Sequence, residues 1–145
     1  MQTNNHTTRH YTPPTKLSEN EKYLFALHPF PLIDIESGLR NMNADETLFI
    51  TILHTLLEQE FPNEHSAYIR AYAQTDWETI EKLAHKMKGG SIYTGLIRLQ
   101  HACQHFETYH LSGQTLLLES LYQQIIHTMH ETQQALEKVI TQKTS

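Results

Sequence analysis

The sequence predicts an all-α fold: an antiparallel up-and-down four-helix bundle with one or more short additional helices at its N-terminal end. Three observations carry that prediction. Gly and Pro number only 5 each in 145 residues, which permits long helices. Apolar residues recur at helical spacing almost without a break from Ile33 onward. The stretches between periodic segments are short, and short connections between long amphipathic helices make antiparallel neighbours.

Taken in order, residues 1–30 read as a flexible lead or linker, rich in Asn, Thr, His and Pro at its start. Within it, Ser18 can cap a short helix over about 18–27, with Glu19 and Glu21 in the first turn. Pro29 and Pro31 then force an extended step. The bundle itself is expected over residues 31–142. A short helix opens near Asp34, with Ile35 and Leu39 apolar. Asn43 or Asp45 can cap the next, whose apolar positions are Leu48, Ile52, Leu56 and Leu57. Pro62 interrupts it, and Ala67, Tyr68, Ala71 and Tyr72 resume the pattern, giving one kinked or two abutting helices over about 45–74. Thr75 or Asp76 caps a helix from about Trp77 to Tyr93, which Gly95 ends. Another runs from Leu96 to about Tyr109. Ser112-Gly113 turns the chain into a last helix over about 114–141, striped by Leu117, Leu121, Ile125, Met129, Leu136 and Val139 or Ile140.

Composition removes several classes of function. A net charge of −5 argues against nucleic acid as a partner, since such binders are usually basic. The single cysteine, Cys103, rules out an intramolecular disulfide and the cysteine-rich zinc patterns. It lies on an apolar stripe, where a buried and inert thiol is expected. No apolar run comes after the first residues and none approaches a membrane span, so a soluble, cytoplasmic monomer is the expectation.

One segment stands out, Leu83-Ala84-His85-Lys86-Met87-Lys88-Gly89-Gly90. At about 100° per residue, Trp77, Ile80, Leu83, Ala84, Met87, Ser91 and Thr94 form the inner side of this helix. His85 falls off that stripe, at its solvent edge, with Glu78, Glu81, Lys88, Gly89 and Ile92 on the same face. Lys88, at i+3, can reach an anion on the imidazole. Gly89, at i+4, removes the side chain that would shadow the ring. Glycine inside a helix costs about 1 kcal/mol relative to alanine, which close approach by another molecule would explain. Ile92 is an apolar group on a face that should be wet, as a docking patch would be. Lys82, Lys86, Lys88 and Arg98 make a basic cluster in an acidic chain.

Each feature has an ordinary explanation when taken singly. There are 11 histidines, and a lone surface histidine usually does nothing. A lysine run is usually a solvated face. A glycine pair often marks a fraying end or a tight helix crossing.

The segment and the residues downstream of it resemble the histidine-containing phosphotransfer (HPt) domains of multistep two-component relays. The resemblance rests on His85 with Lys88-Gly89, then Gly95, Leu99, Cys103 and Glu107. It extends upstream to Leu32-Ile33-Asp34, Gly38-Leu39 and Asp76-Trp77, and covers roughly residues 30–141. The Tyr93-Thr94-Gly95 step is most similar to the HPt modules of bacterial hybrid sensor kinases. The Gly89-Gly90 pair departs from the single glycine usual in the family.

The resemblance implies that His85 is the phosphoacceptor, that Lys88 steadies the phosphoryl group, and that Glu107 hydrogen-bonds the histidine ring from the neighbouring helix. It implies Gly89 as the small residue that lets a receiver domain approach, and Lys82, Lys86 and Ile92 on the same helix complete the expected docking surface. The partners implied are a hybrid sensor kinase and the receiver domains of response regulators, one donating from an aspartyl phosphate and another accepting. The Mg²⁺ would sit on the receiver, so no cofactor is expected on this chain. It reads as a phosphoryl carrier, and without a Gly-rich nucleotide loop no ATP-dependent kinase activity is expected. Two rivals stand beside this reading. One is a module that docks receivers without phosphotransfer. The other is a metal-binding bundle, built on His101, His105 and the Glu107-x-x-His110 element; di-iron bundles need that element twice, plus two more inward glutamates.

Overall fold

The computed structural model describes residues 11–144, with no strand among them. A 3₁₀ turn, Lys22–Phe25, precedes six α-helices. These are α1 (Ile35–Asn41), α2 (Glu46–Thr55), α3 (Phe61–Ala73), α4 (Trp77–Thr94), α5 (Ile97–Leu111) and α6 (Leu118–Thr144). A π turn, Leu56–Glu60, joins α2 to α3 without a break in the helical path. Pro62 accounts for it. Proline has no N–H and its ring crowds the carbonyl four residues back. One widened turn, in which the Phe61 N–H reaches back to the Leu56 carbonyl, accommodates both.

Three aspartates start three helices. Asp34 accepts from the Ser37 N–H at 3.1 Å, Asp45 from Leu48 at 2.9 Å and Asp76 from Thr79 at 3.1 Å, each satisfying a donor that the first turn leaves free. Gly95 ends α4 in the left-handed region, at φ 82°. A side chain there would also collide with the Asp34 carbonyl, so the exit of α4 and the start of α1 require glycine at this position.

The core gathers where α4 packs on α5, α5 on α6, and α2 and α3 close the remaining sides. Phe49, Leu53, Tyr68, Ile80, Ala84, Leu99, Cys103, Phe106, Leu121, Ile125 and Leu136 are fully buried. α4 meets α3 through Glu64 and Lys86 and through Tyr72 and Trp77; it meets α5 through Glu81 and His110 and through Lys88 and Glu107. α5 meets α6 through Arg98 and Glu131.

The structure corrects four expectations. The helix expected over 18–27 is only the 3₁₀ turn, with Ser18 and Glu21 closing the turn before it. Residues 17–30 are packed rather than loose. Leu24 and Leu27 are buried, the Leu24 carbonyl takes hydrogen bonds from His105 and Gln124, and Arg98 donates to the carbonyls of Phe30 and His28. The register of α2 is shifted: Leu48 is exposed, and Phe49 and Leu53 face inward. Phe49 lies against Gly38, where a Cβ would come within 2.6 Å of its ring. Finally, α6 starts at Leu118 rather than near 114, because the Leu117 N–H is taken by the Tyr109 hydroxyl at 3.0 Å. The lead before residue 11 lies outside the described residues.

Candidate functional site

Burial of Ile80, Ala84, Met87, Ser91 and Thr94 fixes the rotation of α4, and the helix runs unbroken through the Gly89-Gly90 pair. That rotation puts His85 outside, with its side chain 67% exposed. On α5, Cys103 and Phe106 face the core, which leaves Glu107 at the seam with α4, its side chain only 11% exposed. One Glu107 oxygen lies 2.5 Å from Nδ1 of His85, and the other lies 2.7 Å from the Lys88 ammonium. One carboxylate therefore spans both residues predicted to act.

Charge decides the hydrogen in this pair. Burial alone would raise the Glu107 carboxyl, but the hydrogen bonds and charges of Lys88 and His85 outweigh it and hold the group below the usual carboxylate range. An ionised carboxylate can only accept, so Nδ1–H donates. In a neutral ring, Nε2 then keeps its lone pair. The result is an exposed imidazole of fixed tautomer, backed by a buried anion.

The rest of the predicted face is divided. Gly89 is exposed, and a Cβ built on it or on Gly90 meets no described atom within 4 Å. Neither glycine is required by packing, so a tight helix crossing does not explain them. Ile92 stands 47% exposed. Lys82 is exposed. Lys86 does not stand free: its ammonium pairs with Glu64 of α3 at 3.0 Å. Arg98 leaves the expected basic cluster, since it is turned to the Phe30 and His28 carbonyls and to Glu131.

Sequence reasoning placed neither Tyr93 on the exposed face nor Glu81 against His110. Tyr93 is 43% exposed and lies four residues past Gly89, a spacing that places the two on one face. The sequence therefore carried that signal. Glu81 pairs with His110 at 2.9 Å, a contact between distant residues with no local signature. Two further histidines have structural partners. His101 stacks on Phe30 with ring centroids 3.8 Å apart, and His105 bonds the Leu24 carbonyl. Among the described residues, no three His, Cys, Asp or Glu side chains are grouped to hold a metal ion. Cys103 is fully buried, and burial pushes its thiol up to about 12, far from a reactive thiolate.

The chain belongs to the Hpt domain family, whose model matches residues 52–142, more than half of the sequence. The match contains His85, Lys88, Gly89 and Glu107 and runs from within α2 almost to the end of α6. Hpt domains transfer phosphoryl groups in phosphorelays and interact there with the receiver domains of response regulators. No curated protein and no solved structure matches the chain. Among the described residues, no helix is long and apolar enough to cross a membrane.

Proposed function

We propose that this protein is a phosphohistidine carrier, taking a phosphoryl group on Nε2 of His85 from the aspartyl phosphate of one receiver domain and passing it to a response regulator. One observation carries the reading: the exposed His85 ring is held through Nδ1 by the buried Glu107 carboxylate, on a helix face that Gly89 leaves bare. In the forward step the Nε2 lone pair forms the N–P bond, the acyl O–P bond breaks, and the receiver's aspartate leaves as carboxylate. The ring thereby gains a positive charge, and Glu107 is already placed to stabilise it. Lys88 then exchanges Glu107 for a phosphoryl oxygen, which neutralises charge on the transferred group. The reverse sequence delivers the group to the next aspartate. The Mg²⁺ that assists belongs to the receiver.

Lys82, Gly89 and Ile92 supply the docking face, together with the stem of Lys86. Within the bundle, the pairs Glu64–Lys86 and Tyr72–Trp77 move in opposite directions along α3 and α4, and the pairs Glu81–His110 and Lys88–Glu107 do so along α4 and α5. This supports the antiparallel four-helix arrangement. A hybrid sensor kinase fits as the source of the phosphoryl group, and every group named for the chemistry comes from a single copy of the chain. The test is a phosphotransfer profile against the receiver domains of the same genome, run with wild-type protein and His85→Gln. Rapid transfer from one or few receivers to the wild type, and none to the variant, is expected. Equal labelling of the two would remove His85 from the mechanism.

A further inference from the structure

One helical turn from the His85–Glu107 contact, a second carboxylate–imidazole pair crosses the same seam in the opposite sense. Glu81 of α4 lies 2.9 Å from Nδ1 of His110 on α5. A carboxylate can only accept, so Nδ1–H donates. His110 is the shielded ring of the two, 25% exposed against 67% for His85. It stacks on the buried Phe106, with ring centroids 6.1 Å apart. The phosphotransfer steps do not use this pair. Each of the four groups also has an alternative partner within its own helix. Glu81 precedes His85 by four residues and Glu107 precedes His110 by three, the spacings and the order at which a carboxylate meets a basic group on one helix face. Helical side chains lean toward the N-terminus, so each ring is carried back over the turn that bears the alternative carboxylate. Both histidines are nevertheless paired across the seam.

We infer that Glu81 and His110 are positioning residues: each occupies the other, so that Glu81 does not turn to His85 and His110 does not turn to Glu107. The inference rests on the phosphocarrier reading and deepens it. Three observations carry it. Both oxygens of Glu107 are already engaged, one by His85 and one by Lys88. A third donor on that carboxylate would displace one of the two groups placed for the chemistry. Glu81 is only 18% exposed, and a covered carboxylate without a donor is costly. Deprived of His110 it takes another donor, and His85 stands one turn ahead on the same face. Finally, Nδ1 of His85 is already bonded to Glu107, so the nitrogen left for Glu81 is Nε2. A carboxylate there draws the ring proton onto the atom that must keep its lone pair.

The test is transfer from the receiver that the phosphotransfer profile selects, measured on the full chain as wild type, His110→Phe, Glu81→Leu and the double variant. His110→Phe keeps a ring against Phe106, and Glu81→Leu keeps an apolar stem at the seam. Replacing both members of a partly buried ion pair by apolar residues is often neutral or stabilising, so the double variant is expected to melt near the wild type. Each single variant frees one competitor and is expected to slow transfer to His85 by about threefold to tenfold. The double variant frees neither and is expected to return to within about twofold of the wild-type rate. A second reading is taken before phosphorylation. Long-range proton–nitrogen resonance gives the share of His85 rings protonated on Nδ1, which is expected to fall in each single variant and recover in the double. A pair that merely held the helices together would not recover on losing its second member. Wild-type transfer or an unchanged Nδ1 share in the single variants, or a double variant no faster than the slower single, would overturn the inference and leave the carrier reading standing. If one single variant does not fold, the other and the double decide in the same way. Failure of every receiver to phosphorylate the wild type would overturn the carrier reading and the inference with it.

Discussion

The buried carboxylate of Glu107 on α5 lies 2.5 Å from Nδ1 of the exposed His85 on α4. A contact between a solvated ring and a buried anion does two things at once. It selects the tautomer that leaves Nε2 its lone pair, and it holds a counter-charge for the cation that the proposed phosphorylation would create. The second Glu107 oxygen holds Lys88 at 2.7 Å, so the cation that would meet the phosphoryl group waits on the same carboxylate.

Glu107→Gln keeps the shape of the side chain and removes its charge. The charge-assisted bond to His85 becomes a neutral one, and such bonds differ by about 1 kcal/mol or somewhat more. Phosphotransfer to His85 is expected to slow by roughly tenfold. Glu107 itself is depressed below its ordinary value of 4.5, so the stability it contributes is present above that value and is lost as pH falls through the lower folded value. Acid unfolding of wild type and Glu107→Gln should therefore converge below pH 4.5. Parallel stability curves across that range would contradict the assignment of an ionised Glu107.

Gly89→Ala separates folding from function. No described atom lies within 4 Å of the added methyl, and alanine is favoured over glycine inside a helix by about 1 kcal/mol. The variant is expected to melt at a higher temperature and to accept a phosphoryl group from its receiver more slowly. Denaturation and transfer kinetics on one preparation check both directions. Greater stability with undiminished transfer would mean that the bare face serves no partner.

Gly38→Ala tests the support beneath α4. A Cβ at this position would lie 2.6 Å from the Phe49 ring and 2.7 Å from the Thr94 carbonyl. Neither neighbour can yield cheaply, since one is a fully buried side chain and the other is backbone. Overpacking of this kind costs about 1–3 kcal/mol. Chemical denaturation should show a loss of that size, and an unchanged midpoint would contradict the packing described.

How much of the fold is legible in the sequence depends on locality. The three aspartate caps, the Gly95 stop and the stripes of α5 and α6 are set by neighbours within a few residues, and the sequence carries them openly. The register of α2 is not, because Leu48 and Phe49 fit a helical pattern equally well until the gap left by distant Gly38 selects Phe49. The packed run before α1 reads as a loose lead for the same reason. Its composition is that of a linker, but the Leu24 carbonyl is held by His105 and Gln124 and the Phe30 and His28 carbonyls by Arg98, all more than 65 residues further along the chain. At the site, His85, Lys88, Gly89 and Glu107 can be named because motif and helical spacing coincide. The pairing of Lys86 with Glu64 and the turning of Arg98 toward Phe30 depend on which helices meet, which spacing alone does not contain.

That packed run also gives a pH dependence. His105 is half-buried and is lowered from 6.5 by burial, with the Leu24 hydrogen bond raising it in part and His101 lowering it further. His101, stacked on Phe30, is lowered by burial. A histidine buried neutral stabilises most above its unfolded value and loses that contribution as pH falls from 6.5 through the lower folded value. Amide exchange at Leu24–Phe30, corrected for intrinsic rates, should therefore be less protected at acid pH than above neutrality, with α4 changing less. Equal protection at both would show that neither ring gates the segment.

The most direct measurement of the central claim is the location of the phosphoryl group. Protein phosphorylated by its receiver is studied by phosphorus and long-range proton–nitrogen magnetic resonance, with His85→Gln as the control. The account predicts one acid-labile phosphorus signal, assigned to Nε2 of His85, with a proton retained on Nδ1 and no such signal in the variant. A phosphoryl group on Nδ1, on another histidine, or undiminished in His85→Gln would contradict it.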